Sequence, residues 1–288
     1  MSFDANAHRD ASLRGWEEAA SGWTRQQAAM REFGAPVSHW MIDAIMPQPG
    51  ERVLELAAGL GETGMLAAEL VAPMGGVIVS DQAEAMLSGA RERAIALGLS
   101  NVEFRVLNAE WIDLPVASVD AVLCRWGYML MADPLAALVE TRRVLRPGGR
   151  VALAVWDSVE QNPWALLPSQ ELIERGLSTG WAGTSSQLGT PGPFALGSSE
   201  QTGELLQQAG FADVRLQALD LRRRHGSFEE FWDSTLDLSR ALHDAVLDRP
   251  EPEIAEIYAA LAERFSPYTA DDGSLDIPGR TLVASASA

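Results

Sequence analysis

Between Arg52 and Trp156, short apolar runs alternate with stretches of helical periodicity, and this rhythm constrains the fold more than any other feature. Arg52–Ala57, Gly76–Ser80, Val119–Cys124 and Arg150–Trp156 read as buried strands, and Asn101–Leu107 as a strand with Glu103 and Arg105 outward. Thr63–Ala72, Ala83–Leu97 and Pro134–Leu145 have the length and pattern of helices. Strands alternating with such helices form crossover units, and crossover units build a parallel sheet. Arg146-Pro147-Gly148-Gly149 supplies the reversal before the last of these strands.

The flanks complete the pattern. Helices are expected over Ala11–Arg31, whose stripe of Leu13, Trp16, Ala20, Trp23 and Met30 is interrupted by Gln27, and over Pro36–Ile45. Beyond Trp156 come a helix over Trp164–Arg175 and a Gly/Ser/Thr/Pro-rich stretch from Gly176 to Pro193 that suits a lid. Helices over Glu200–Ala209, Phe228–Ala245 and Pro252–Phe265 and strands over Val214–Leu219 and Pro278–Ala284 follow. The expected architecture is α/β: a doubly wound, mostly parallel seven-stranded sheet with N-terminal helices and a helical cap insertion. By residue, 1–48 cover the site, 49–156 form the core, 157–199 the cap or lid, and 200–288 complete the sheet with additional helices.

Composition removes several kinds of chemistry. All 22 basic residues are Arg, so Schiff-base lysines and the Walker A phosphate loop are excluded. The Arg-only, Ala-rich composition points to a GC-rich bacterial gene. A net charge of −18 opposes nucleic-acid phosphates and anionic membranes, and Arg222-Arg223-Arg224, the one dense basic run, reads as a solvated strand end. Cys124 is the lone cysteine, and His8, His39, His225 and His243 show no metal-ligand spacing, so no metal is expected. No apolar run reaches the roughly 18 residues of a membrane span, and the polar N-terminal segment lacks a signal-peptide core. A cytoplasmic protein is the expectation.

The chemistry concentrates in Glu55-Leu56-Ala57-Ala58-Gly59-Leu60-Gly61-Glu62-Thr63-Gly64, which closes the first strand and opens the first core helix. Glycines let the backbone turn and approach a ligand, and the helix start offers unpaired N–H groups. Asp81 ends the next strand, where a carboxylate accepts hydrogen bonds from both hydroxyls of a ribose. Together these specify a nucleoside-containing ligand. Gly59-x-Gly61-x-x-Gly64 followed by Asp81 also satisfies the dinucleotide fingerprint. Glu55 lies where dinucleotide folds have an apolar residue, and it makes sense if the ligand carries an amino group. The absence of the short-chain dehydrogenase lysine agrees, and an aminoacyl nucleoside is favoured.

These residues resemble the class I S-adenosylmethionine-dependent methyltransferases, most closely the branch that includes the ubiquinone and menaquinone biosynthesis enzymes. The resemblance covers Glu51 to Trp156, and less specifically Pro193 to Val214. Val53–Gly61 looks like the family's first motif, with Ala57 at its first glycine position. The resemblance implies a Rossmann-like fold, S-adenosylmethionine as cofactor, S-adenosylhomocysteine as product, and a small-molecule methyl acceptor. It assigns Glu55, Ala57, Gly59 and Gly61 to the cofactor loop, Asp81 to the ribose, and Gln82 and Met86 to its surroundings. Asn108-Ala109-Glu110 stands where the family has Asp-Ala beside adenine. Cys124-Arg125-Trp126-Gly127 ends the fourth strand, which places Arg125 and Trp126 beside the methionine part and the methyl. Leu145-Arg146-Pro147-Gly148-Gly149 matches a recurrent turn of the branch.

Trp23, Tyr128, Trp164, His225 and Trp232 are candidates for an apolar or aromatic acceptor pocket. No general base is assigned, and O-, N- and C-methylation remain open. So do an NAD(P)-dependent oxidoreductase and a non-catalytic cofactor-binding protein. A homodimer is the default assembly.

Overall fold

The computed structural model describes residues 3–177 and 190–288. Helices α1 (Ala5–Arg25) and α2 (Gln27–Ile45) precede the alternating core: β1 (Arg52–Glu55), α3 (Glu62–Val71), β2 (Gly76–Asp81), α4 (Glu84–Ala96), β3 (Val102–Val106), β4 (Val119–Arg125), α5 (Pro134–Val144) and β5 (Leu145–Trp156). Then follow α6 (Pro163–Glu174), α7 (Ser199–Gln208), β6 (Ala212–His225), α8 (Phe228–Leu238), α9 (Arg240–Val246), α10 (Glu251–Arg264) and β7 (Leu275–Ser287). The strands form one seven-stranded sheet in the order β3-β2-β1-β4-β5-β7-β6. Neighbours from β3 to β5 are parallel, while β7 runs antiparallel to both β5 and β6.

This order fixes where a ligand can enter. The chain winds outward from β1 through β2 to β3, then returns to the other side of β1 with β4. The β1/β4 boundary is therefore a topological switch point, and the crevice of such a sheet opens outside the strands' carboxyl ends. Leu54, Ile78, Val122 and Val151 are fully buried within the apolar core around the sheet. A second apolar cluster joins α6 to α8, α9 and α10, with Phe231, Phe265 and Leu261 at its centre. This second cluster thus draws on the chain between β6 and β7 as well as on α6.

All seven expected strands are present, with different limits in places. β1 stops at Glu55 because Ala57 takes a left-handed conformation at φ 48°. β6 and β7 extend well past their expected ends and pair along 12 registered positions. In β5 the partner of β4 jumps from Leu145 to Arg150, so Arg146–Gly149 bulge out as the expected turn. The N-terminal helix breaks at Gln26, and α2 runs through Pro36. That proline leaves the Glu32 carbonyl without a helical donor, and Glu32 is exposed to water. The expected helix over Phe228–Ala245 divides at Ser239, whose hydroxyl caps α9. Most of the Gly176–Pro193 stretch, read as a lid, lies outside the described residues.

Candidate active site

The loops after β1, β2, β3 and β4 surround a cleft of about 1120 Å3, mouth included, and α1 and the start of α2 form its far wall. Glu55, Ala57 and Gly59 line it from the first loop. Gly61 stands behind that loop as the N-cap of α3, with φ 74°, a conformation that suits glycine. Asp81, Gln82 and Met86 line the cleft from β2 and α4, Asn108, Ala109 and Glu110 from the segment after β3, and Arg125 and Trp126 from the end of β4.

Asp81 is buried and accepts the N–H groups of Gly59 and Ala83, each at 2.9 Å, so it ties the glycine loop to the start of α4. Burial raises its carboxyl above the ordinary value, while those backbone donors act in the opposite sense. Glu55 is more extreme. It is 2% exposed, and burial pushes it up to about 8 against the pull of Arg125 and the Thr63 and Gly64 N–H groups. Its Oε2 has no hydrogen-bond partner. A buried carboxylate oxygen left unbonded is costly, and a ligand ammonium would remove that cost.

Arg125 lies opposite in charge and equally unsupported. Its guanidinium sits 4.9 Å from the Trp126 ring and has no hydrogen bond or ion pair with the described residues. Nη1 packs on α2 at Gly34, where an added Cβ would lie 2.0 Å away, so a side chain at 34 would displace the guanidinium from this place. Burial lowers the Arg125 pKa, with Glu62 and Glu55 opposing. Trp126 itself takes φ 60°, and its indole stacks on Trp156 at 4.3 Å between ring centres.

Helix α1 closes the cleft largely with polar contacts. Arg9 pairs with Glu110 at 2.5 Å, the His8 ring donates to the Leu130 carbonyl at 2.9 Å, and the Gln82 amide donates to Ser12 at 3.0 Å. Glu17 accepts the Glu84 and Ala85 N–H groups and so caps α4, whose own N-cap, Ala83, has no side chain able to do so. Each contact joins α1 to a loop at the carboxyl edge of the sheet. Sequence reasoning missed Arg9, Ser12 and Gln27, yet they lie at helical spacing with Trp16, Trp23 and Met30, all in the cleft wall. Gln27, which interrupts the apolar stripe, does so because it faces the cleft.

Of the five candidates for the acceptor pocket, Trp23 lines the cleft and four do not. Tyr128 is wholly buried with its hydroxyl 2.6 Å from Thr141, because the left-handed turn at Trp126 sends the chain beneath the cleft floor. Trp164 packs edge-on against Trp156 and donates its indole N–H to Asn162. His225 and Trp232 belong with the second apolar cluster, His225 against Phe231 and Trp232 against Tyr258. Burial and the nearby Arg223 lower His225 to about 4. No group of His, Cys, Asp and Glu suited to a metal ion occurs among the described residues.

A seven-stranded doubly wound sheet with an acid at the end of each of two neighbouring strands and a glycine loop between them defines a nucleoside-binding α/β protein. The chain belongs to the methyltransferase-domain family, whose model matches residues 47–215. It is 33% identical over 206 residues to an arsenite methyltransferase of Halobacterium salinarum, covering 71% of this chain and 47% of that protein. It is 35% identical over 121 residues to a ubiquinone/menaquinone biosynthesis C-methyltransferase of Xanthomonas oryzae, covering 42% of this chain and 48% of the relative. The chain thus spans about half the length of these relatives. The fold is that of a solved putative methyltransferase from Bacillus halodurans, with TM-score 0.55, 20% identity, and coverage of 87% of this chain and 97% of that one.

Proposed function

We propose that this protein transfers a methyl group from S-adenosylmethionine to a small apolar or aromatic metabolite and releases S-adenosylhomocysteine. The observation that carries the reading is Oε2 of Glu55, enclosed at the end of β1 without a hydrogen-bond partner, on an acid that burial keeps largely protonated until a cationic group meets it. The donor's α-ammonium is such a group, whereas the pyrophosphate of a dinucleotide would be repelled there. Asp81 takes the ribose hydroxyls, Asn108 and Ala109 flank the adenine, and Arg125 and Trp126 stand by the methyl. Residues 49–156 hold the donor, 1–48 cover it, and 157–199 with 200–288 complete the sheet and the cap.

When bound, the donor supplies a methyl group on a sulfonium, already activated for displacement. The chain's part is alignment and exclusion of water. Orientation alone contributes roughly 7–11 kcal/mol to such reactions. The Trp23 and Trp126 rings line the same cleft, and an aromatic face near a sulfonium adds about 0.5–2 kcal/mol. The Arg9–Glu110 pair and the Glu17 cap hold α1 across the cleft and keep solvent out.

Calorimetric titration with S-adenosylhomocysteine, alongside NADH and NADPH, tests the reading. Binding of the homocysteine nucleoside alone is expected. Binding of a nicotinamide nucleotide in its place would overturn the assignment.

A further inference from the structure

Methyl transfer to an oxygen, nitrogen or carbon requires that the acceptor's lone pair be free of its proton, and the ionisable groups around the cleft are already committed. Glu110 is held by Arg9 and the Ala132 N–H. Asp81 is held by two backbone N–H groups, and Glu62 is paired with Arg93 through Oε1 at 2.7 Å while its Oε2 is enclosed, out of an acceptor's reach. Glu55 faces the donor's ammonium in the proposed reading. His8 is engaged with Leu130, in the group that α1 forms with Glu110 after β3, away from the end of β4.

Groups outside the cleft wall do not fill the gap. Burial pushes the Cys124 thiol up to about 12, and the Tyr128 phenol is enclosed against Thr141. His225 belongs with the second cluster, and the chain has no lysine. Residues 178–189, outside the described part, carry no ionisable side chain in the sequence. No side chain at the end of β4 is therefore placed to take a proton from an acceptor.

The same place holds a cation that makes no hydrogen bond or close ion pair with the described residues, although Glu62 and Glu55 act on it through space. Arg125 lines the cleft with none of its N–H groups hydrogen-bonded to the described residues, and Nη1 is enclosed. The indole N–H of Trp23, also in the cleft wall, is enclosed without an acceptor. A guanidinium in the cleft wall that makes no hydrogen bond to the described residues is a site for an anion, and its planar fork suits a pair of oxygens or one delocalised oxyanion.

We propose that the methyl acceptor binds as an oxyanion, an ionised enol, phenol or carboxylate, with Arg125 as its counter-charge and no protein base in the step. This rests on the methyltransferase reading above. The anion's lone pair forms the bond to the methyl carbon as the carbon–sulfur bond breaks and its electron pair goes to sulfur. Anion and sulfonium are neutralised together, and no proton moves. An enclosed, weakly polar cleft favours a step that cancels opposite charges.

The test uses the full chain loaded with S-adenosylhomocysteine and para-nitrophenol as the probe, whose ionised form is read by its colour across a pH series. The bound phenol should ionise at least about one pH unit lower than in solution, which is a tenfold preference for the phenolate. Arg125→Met, saturated with S-adenosylhomocysteine, should weaken phenolate binding roughly tenfold or more and binding of the neutral phenol far less. Benzoate and acetylacetone, titrated in the same way, distinguish carboxylate from enolate as the preferred oxyanion. With turnover, the pH at which the rate rises should follow the acidity of the acceptor across a series of substituted phenols.

Failure of all three probes to bind, or an unshifted para-nitrophenol, overturns the proposal. So does an Arg125→Met variant that loses S-adenosylhomocysteine, since the arginine would then serve the methionine carboxylate. A rate profile tied to a proton that disappears in His8→Gln would reveal a base and overturn it as well. If the unaltered protein does not bind S-adenosylhomocysteine at all, the failure lies with the methyltransferase reading itself.

Discussion

Binding of S-adenosylhomocysteine should expel a proton, with Glu55 as its source. Burial raises this carboxyl from 4.5 to about 8, so at pH 7 about nine in ten molecules hold it protonated. An ammonium set against Oε2, which has no hydrogen-bond partner among the described residues, adds to the pull of the Thr63 and Gly64 N–H groups, stabilises the charged form and returns the group toward the ordinary carboxylate range. The ligand's own α-amine, with an ordinary value near ~7.8, remains largely protonated at pH 7. About 0.8 proton net is therefore released for each ligand bound at pH 7, roughly 0.9 from Glu55 less about 0.1 taken up by the ligand amine. Affinity rises roughly six- to sevenfold per unit between about pH 6 and pH 7.5. It levels off near pH 8, roughly where free Glu55 ionises and the ligand amine begins to lose its proton. Calorimetry at pH 7 in two buffers of different ionisation enthalpy counts the proton directly. Glu55→Gln, neutral throughout, should bind more weakly and release none. No release by the unaltered protein, or equal release by the variant, would refute the reasoning.

Three further outcomes are expected. Asp81→Ala removes both the ribose partner and the tie between Gly59 and Ala83, and should weaken S-adenosylhomocysteine roughly 10–100-fold by calorimetry; unchanged affinity would end the ribose assignment. Ala57→Gly relieves a left-handed alanine at φ 48° and should raise the unfolding free energy by about 1 kcal/mol in denaturant titration, where a loss would show that the alanine is unstrained. His225, lowered to about 4 from an ordinary 6.5, resists protonation in the fold. Its contribution holds above about 6.5 and is lost as pH falls toward about 4. His225→Phe should therefore flatten the acid side of the thermal-stability profile, and an unchanged profile would contradict the assignment.

The core was legible because its signals are local. A buried parallel strand reads as a short apolar run, a crossover helix follows it, and the Glu55–Gly64 loop must carry glycine where the backbone turns under a helix start. Asp81, at the end of the next strand, follows from the same logic. The N-terminal wall was half legible. The stripe through Trp16, Trp23 and Met30 marked the face, but Arg9 and Ser12 declare themselves only through partners that follow β3 and β2, Glu110 and Gln82. Tyr128 was misleading because a left-handed Trp126 reverses the expected direction of the chain. Trp164, His225 and Trp232 were misleading for another reason. Aromatics fit a pocket and an apolar core equally well, and the second cluster joins the consecutive helices α8, α9 and α10 to α6, which lies far from them in sequence. Arg125 shows the limit most plainly. Its position at the end of β4 was readable, whereas its lack of a hydrogen-bond partner among the described residues is a property of the folded cleft.

The most direct measurement is a crystal structure of the protein with S-adenosylhomocysteine. The account predicts the ribose hydroxyls on Asp81 and the α-ammonium on Glu55 Oε2, with the sulfur facing the Arg125 and Trp126 end of the cleft. A nucleoside bound elsewhere, or bound here with Glu55 still without a partner, would contradict it.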